Sequence, residues 1–208
     1  MSTSASAGER TGAPTSRAER ADAARNRTRI LTAAEELVAL KGVGALTMNE
    51  VAAAASVGVG TVYRRFGDQG GLVEAMMDER EHRLQDAMTS GRPPLGPGAP
   101  AVERIRAFLH AYVDLLETYG SLMAAAEATM SPDRRYRSGP YTAHRQHLIA
   151  LIRQARPDAD APYLAQALLE PLSASHYTHQ RERQGMSPER IKAGLDDLMA
   201  GLPPVRFA

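Results

Sequence analysis

Apolar residues recur at helical spacing from Ala23 onward: Ile30, Leu31, Ala34, Leu37, Val38 and Leu40 line one face until Gly42 and Gly44 end the pattern. The next stretch, TMNEVAAAA, places Thr47 three residues before Glu50, the spacing at which hydroxyl and carboxylate cap a helix start reciprocally. This second helix is short, because Ser56–Gly58 interrupts it. A third helix is predicted over Val59–Phe66; GDQGG then breaks the chain, and a longer helix follows from Leu72 to Met88. A long helix followed by two short ones across a tight turn is a helix-turn-helix pattern. Residues 90–101, SGRPPLGPGAPA, cannot continue a helix and read as a linker. Beyond them, helical periods cover 102–119, 122–130, 141–155, 161–183 and 188–201. Pro171 falls inside the fourth of these, where it should kink the helix and free a carbonyl. No stretch alternates like a strand, and VAAAA is far better helix than β-structure. The expected fold is all-α with about nine helices. Its parts are a disordered arm (1–22), a helix-turn-helix domain (23–71), a connecting helix (72–89), the linker (90–101) and a second helical domain (102–208).

Within ASVGVGTVYRRF, Ala55–Phe66, Gly58 and Gly60 raise the question of a nucleotide-binding loop. Such a loop needs a preceding strand and a third small residue where this chain has Tyr63, so both requirements fail. The segment reads better as an amphipathic helix. Val62 and Phe66 suit an inward face, and the opposite side shows Thr61, Tyr63, Arg64 and Arg65. Hydroxyls, guanidinium groups and the N–H groups of a helix start are what bind phosphate oxygens.

Composition narrows the classes. Of 208 residues, 43% are hydrophobic and 24% charged, enough for a buried core and a solvated surface. Cysteine is absent, which removes disulfides, thiolate metal sites and cysteine nucleophiles. No apolar run is long enough to span a membrane and the first residues lack a signal's apolar stretch, so a cytoplasmic location is expected. Net charge is only +1, but residues 1–29 carry six arginines against Glu9, Glu19 and Asp22. A basic arm of this kind either tracks a nucleic-acid backbone or is a solvated tail.

The run RTRILTAAEELVALKGVGALTMNEVAAAASVGVGTVYRRFGDQGGLVEAMM resembles the DNA-binding domain of TetR-type bacterial transcriptional regulators. The resemblance rests on Ile30–Leu31, Ala33–Ala34, Leu37, Gly42, Thr47, Val51–Ala52, Ala55, Val57, Gly60–Thr61, Tyr63, Phe66 and Leu72. It implies that Thr47 meets a phosphate at the start of helix two and that Asn49 can reach a base edge. Thr61 and Tyr63 would be the paired hydroxyl contacts of the recognition helix. Val59, Gly60 and Arg64 stand where sequence reading varies in the family, and Arg65 would contact phosphate. The turn departs from the usual Ala-Gly-Val-Ser, reading Ala55-Ser56-Val57-Gly58, so a glycine replaces the usual cap. Gln69 replaces a common phosphate-anchoring lysine, and Gly70–Gly71 are expected to soften the start of helix four.

The resemblance further implies that 102–208 binds an effector and dimerises. Leu164, Leu168, Leu172 and Ser175 form one stripe, and Ile191, Leu195, Leu198 and Leu202 another. Core packing alone could produce both; the resemblance favours a four-helix dimer bundle. Phe108, Tyr112, Leu115, Tyr119, Met123, Glu127, His147 and Leu151 on the central helices, with His176, are candidate lining for a small lipophilic ligand. His144/His147 and His176/His179 share the i, i+3 spacing of a zinc pair, but no cysteine or spaced carboxylate completes a site, so no metal and no cofactor are expected. The expected activity is a homodimeric repressor that leaves a double-stranded DNA operator when a small molecule binds. A DNA-binding regulator without ligand control stays open. A helical enzyme lacks any supporting motif.

Overall fold

The computed structural model describes residues 17–128 and 131–201. Among them run ten α-helices: α1 Arg17–Lys41, α2 Met48–Ala54, α3 Val59–Phe66, α4 Gln69–Ser90, α5 Ala101–Ala128, α6 Pro132–Tyr136, α7 Gly139–Ala155, α8 Ala161–Leu169, α9 Ala174–Glu182 and α10 Pro188–Ala200. Two 3-10 turns, Val43–Ala45 and Glu170–Leu172, join neighbours, and no described residue lies in a strand. The fold class expected from the sequence is therefore the observed one.

Several boundaries move. Helix α1 starts at Arg17 rather than Ala23, so residues 17–22 are helical and only 1–16 of the expected arm lie outside the described residues. Alanine, glutamate and arginine favour that extension, and just beyond it Arg65 donates to the Ala23 carbonyl at 2.5 Å, tying α1 to α3. The periods at 102–119 and 122–130 merge into α5, which continues through Gly120 because α9 packs there. A Cβ at Gly120 would stand 3.4 Å from both the Tyr177 ring and the Thr178 hydroxyl. Met130, the expected end of the second period, lies outside the described residues. The period at 161–183 breaks in two instead of kinking. Pro171 sits in the 3-10 turn, and Ser173 then caps α9 by accepting from His176 N–H at 3.4 Å. Helix α6 was not foreseen; Ser131 caps it and its first residue is a proline.

Two apolar clusters hold the chain together. In the first, Ile30, Leu31 and Ala34 of α1 pack with Val51 of α2, Val62 of α3 and Leu72 and Met76 of α4, all fully buried. Burying each large side chain is worth about 1.5–3 kcal/mol, so this short three-helix unit depends on α1 and α4 to close its core. Leu40 does not belong to it and is exposed. The second cluster joins α5, α7, α8, α9 and α10 around Phe108, Leu109, Val113, Leu148 and Tyr177, and reaches Leu84 and Met88 at the far end of α4. Tyr119 of α5 is buried in the first cluster, with Leu115 and Met123 beside it, so the two cores meet along α4 and α5.

Candidate nucleic-acid interface and ligand cavity

Helix α2 begins as its sequence demands. Thr47 accepts from Glu50 N–H at 3.4 Å and its hydroxyl donates to the Glu50 carboxylate. Lys41, at 2.5 Å from Glu50, and Thr47 hold that carboxyl below its usual range. The helix ends in a left-handed cap. Val57 N–H bonds to Ala52 carbonyl at 3.0 Å and Ser56 N–H to Ala53 at 3.1 Å, with Ser56 at φ 52°. These are the two bonds of a Schellman motif, and serine occupies the position glycine usually takes. From α1, Arg29 donates to the carbonyls of Ala55 at 2.6 Å and Ser56 at 3.3 Å, placing a cation at the negative end of α2.

Helix α3 has one face in the core, with Val62 fully buried and Phe66 half-buried. Its other face carries Val59, Gly60, Tyr63, Arg64 and Arg65 exposed, with Thr61 half-buried; Thr47 and Asn49 of α2 are exposed as well. The residues expected to meet DNA therefore lie at the surface of α2 and α3. Space around a Cβ at Gly58 or Gly60 is open, so nothing inside the chain requires those glycines. Arg64 lies 3.5 Å from the Thr61 hydroxyl, while Arg65 is engaged with α1.

The passage from α3 to α4 is tight rather than soft, which corrects the expectation for Gly70–Gly71. Gly67, at φ 79°, closes α3 with its N–H on the Tyr63 carbonyl at 2.8 Å. Asp68 caps α4 by accepting from Gly71 N–H at 2.9 Å. A Cβ on Gly71 would stand 2.1 Å from the Phe66 carbonyl oxygen, so only glycine allows this approach. Further along, Arg27 of α1 pairs with Glu79 at 2.6 Å and Arg83 with Glu35 at 2.9 Å, and Arg27 keeps the Glu79 carboxyl low.

A cavity of about 750 Å³ opens between α4 and the C-terminal helices. Helix α4 contributes Gln69, Gly70, Val73, Glu74, Met77 and Asp78; α5 contributes Tyr112, Leu122, Met123, Ala126 and Glu127. Arg135, Tyr141, His144, Leu169 and Leu172 form the far wall, and Val43 and Gly44 from the turn after α1 reach its rim. Its polar groups are largely committed. Glu127 accepts from the first N–H groups of α9, Ala174 at 3.2 Å and Ser175 at 3.0 Å, and lies 3.4 Å from Arg135. His144, buried, lies 2.8 Å from Glu81 of α4. Burial works to raise the Glu81 carboxyl, but His144 together with Gln85 and His82 makes the net shift downward. Tyr112 packs edge-on against His144 and stacks on Phe108.

The profile of bacterial regulatory proteins of the tetR family matches residues 30–76, which run from the middle of α1 through the first third of α4. Over these residues the chain carries the DNA-binding unit of the TetR family. An HTH-type transcriptional regulator from Staphylococcus aureus (strain MRSA252) is 24% identical over 188 residues, 88% of this chain and 96% of that one. A TetR transcriptional regulator from Streptomyces coelicolor superposes with a TM-score of 0.56 at 26% identity, over 86% of this chain and 99% of that one. SmeT, the repressor of the Stenotrophomonas maltophilia multidrug efflux pump SmeDEF, shares the fold with a TM-score of 0.54 at 19% identity, over 88% and 93% of the two chains. The protein is thus a DNA-binding transcriptional regulator with a helix-turn-helix. No helix among the described residues is long and apolar enough to cross a membrane.

Within this TetR fold the candidate ligand residues divide. Tyr112, Met123 and Glu127 line the cavity. Phe108 and Leu151 are fully packed in the C-terminal core, and Tyr119 in the N-terminal one. His147 lies against Phe108 with its Nε2 enclosed, and His176 is exposed on α9. Helical spacing placed all of these on α5, α7 or α9 but could not say which side of each helix faced the void. Val73, Met77, Tyr141 and His144 were missed; the i, i+4 pair Val73–Met77 was the available signal. The dimer stripes also divide. Leu172, Ile191 and Leu195 are buried in the chain's own core, Leu172 in the 3-10 turn and Ile191 and Leu195 on α10, which packs on α5. Leu164 and Leu168 are half-buried, Ser175 and Leu198 are exposed, and Leu202 lies outside the described residues. Tyr163, not predicted, is the most exposed large apolar side chain of α8. Among the described residues no group of three or more His, Asp or Glu stands close enough to hold a metal ion.

Proposed function

We propose that this regulator is a homodimeric repressor whose grip on a palindromic operator is released when a small molecule fills the cavity along α4. The supporting observation is the position of that cavity. Gln69 and Gly70 line it, and the next residue, Gly71, is locked against the last turn of α3. An occupant therefore acts on the helix that fixes the orientation of the DNA-reading surface. Two copies of α3 must enter successive major grooves about 34–36 Å apart, so a modest tilt of α4 in each protomer moves both out of register. A ligand shifts this balance only by binding the tilted state more tightly than the DNA-bound one.

In this reading Tyr63, Asn49 and Arg64 read bases, while Thr47, Thr61 and Arg65 hold phosphates, with Arg65 leaving the Ala23 carbonyl to do so. Val59 and Gly60 keep the start of α3 small enough to approach the groove. The protomers meet through α8 and α10, where Tyr163 and Leu198 are exposed and Leu164 and Leu168 half-buried. Fluorescence anisotropy with DNA from upstream of its own gene tests the interface: Tyr63→Ala should lose sequence preference, and unchanged preference refutes the assignment. Sedimentation velocity of Tyr163→Asp/Leu198→Asp should show monomers, and a persisting dimer would place the interface elsewhere. Gly44→Met, which fills the cavity rim where a Cβ meets open space, should weaken effector response while leaving operator binding intact.

A further inference from the structure

We infer that the cavity takes an organic cation with an apolar body, its charged end held by Glu74 and Asp78 of α4. The inference rests on reading the cavity as the effector site. The charged groups on its wall are Glu74, Asp78, Glu127, Arg135 and His144. Three of them are spent inside the protein. Glu127 caps α9 and faces Arg135, and Arg135 lies 3.4 Å from Glu127 and 3.7 Å from Glu170. His144 faces Glu81. What remains is Glu74 and Asp78, both exposed, with no hydrogen bond or ion pair from either side chain to any described residue.

Four residues apart on one helix, these two carboxylates share a face and repel each other. A ligand carboxylate or phosphate would add a third negative charge, and no uncommitted cation on the wall would answer it. A neutral ligand would leave the repulsion as it is. A cation relieves it while its apolar part covers Val73, Met77, Leu122 and Met123. The Tyr141 face is already taken by the Arg135 guanidinium, 5.9 Å from the ring centroid, so the place left for the ligand's charge is beside Glu74 and Asp78. The Tyr112 hydroxyl, also at the cavity, has no hydrogen-bond partner among the described residues. Burial, with Glu81 and Glu127 nearby, pushes that phenol up, so it stays neutral and adds no charge of its own. Because both carboxylates belong to α4, the charged end of such a ligand would pull directly on the helix that carries the DNA-binding unit.

Three probes of one chain length separate the classes: octyltrimethylammonium, octanoate and 1-octanol, titrated calorimetrically into the full chain without DNA. The ammonium should bind about tenfold more tightly than octanoate, as two partly solvated charge contacts allow. Glu74→Gln/Asp78→Asn should erase that preference and leave octanol affinity unchanged, the latter also reporting an intact cavity. Octanoate binding as well as the ammonium, a preference that survives the double variant, or no binding by any probe would overturn the inference. Operator release is read separately. An ammonium that binds in the expected order without releasing DNA refutes the effector reading alone, whereas release by octanoate at equal affinity overturns the cation assignment alone.

Discussion

Exchanging two residues in the turn between α2 and α3 should stabilise the protein. Ser56 holds φ 52°, where a side chain crowds the backbone, at a cost of about 1–2 kcal/mol for L-residues. Two positions later Gly58 begins α3 at φ −66° and ψ 137°, an ordinary extended conformation with no side chain to cap the helix. The glycine that the turn needs thus stands where a serine would serve, and the serine where a glycine would. In Ser56→Gly the relief of crowding exceeds the extra unfolded-chain entropy of glycine, leaving a net gain of about 0.5–1 kcal/mol. Gly58→Ser supplies a hydroxyl to the N–H groups of the first turn, and a Cβ there meets open space; it adds a few tenths of a kcal/mol. Together they should raise stability by about 1 kcal/mol, or Tm by about 2–4 °C for a chain of this size. Urea unfolding followed by circular dichroism, with both single variants alongside, apportions the gain. A neutral or destabilising Ser56→Gly, or a gain owed mostly to Gly58→Ser, would show that the left-handed serine is not the strained position.

Gly71→Ala forces a Cβ to within 2.1 Å of the Phe66 carbonyl oxygen, so backbone must move, and thermal unfolding should show a loss of about 2–3 kcal/mol; a wild-type Tm would mean that α3 and α4 are not locked together. Arg29→Leu strips the α2 carbonyls of their donor, and urea titration should register a loss of about 1–2 kcal/mol, against no change if solvent replaces the guanidinium freely. His147 gives a pH dependence: burial first, then the charges of Arg104 and His144, pushes its imidazole down to about 4 from 6.5. Between those values the unfolded chain binds a proton that the folded chain refuses, so stability falls as pH falls through that window and is fully present above it. Discounted for its partial exposure, the loss should be about 1–2 kcal/mol, and His147→Met, compared with wild type at pH 7.5 and pH 5, should remove that much of the acid slope; parallel slopes would show that His147 is not the group responsible.

The sequence made the N-terminal unit legible because its signals are local. A capping box at Thr47 and Glu50, a breaker at Ser56–Gly58 and an apolar face at Val62 and Phe66 each act within a few residues, and each appears where it was expected. The C-terminal half depends on which face of each helix meets which neighbour. Ile191 and Leu195 belong to an apolar stripe that serves equally for core or interface; with α10 packed on α5 they are buried in the core, as is Leu172 of the other stripe in its 3-10 turn. Glu127 looked like a polar group reserved for a ligand, but its carboxylate caps α9 across 47 positions of chain. Nor does spacing reveal that Tyr119 would leave its own domain's core for the other. Such pairings are non-local, and no window of sequence contains both partners.

These non-local contacts also decide how a signal can travel. Helix α4 is fixed at both ends: Gly67, Asp68 and Gly71 join its start to α3, while Leu84 and Met88 anchor its end in the C-terminal core. Between those anchors the Glu81–His144 pair ties it to α7, and the cavity, lined by His144, lies next to that contact. In the proposed release, displacement at Val73–Asp78 would reach the Phe66 carbonyl through the locked start of α4. Tyr119 limits the motion, because it spans from α5 into the core beneath α1 and α4 and resists separation of the two units. For the proposed release, this arrangement favours a pivot of α4 about Tyr119 over a translation. In the proposed release, a ligand seated between α4 and Tyr112 and Tyr141 would push on the part of α4 nearest the DNA-binding unit.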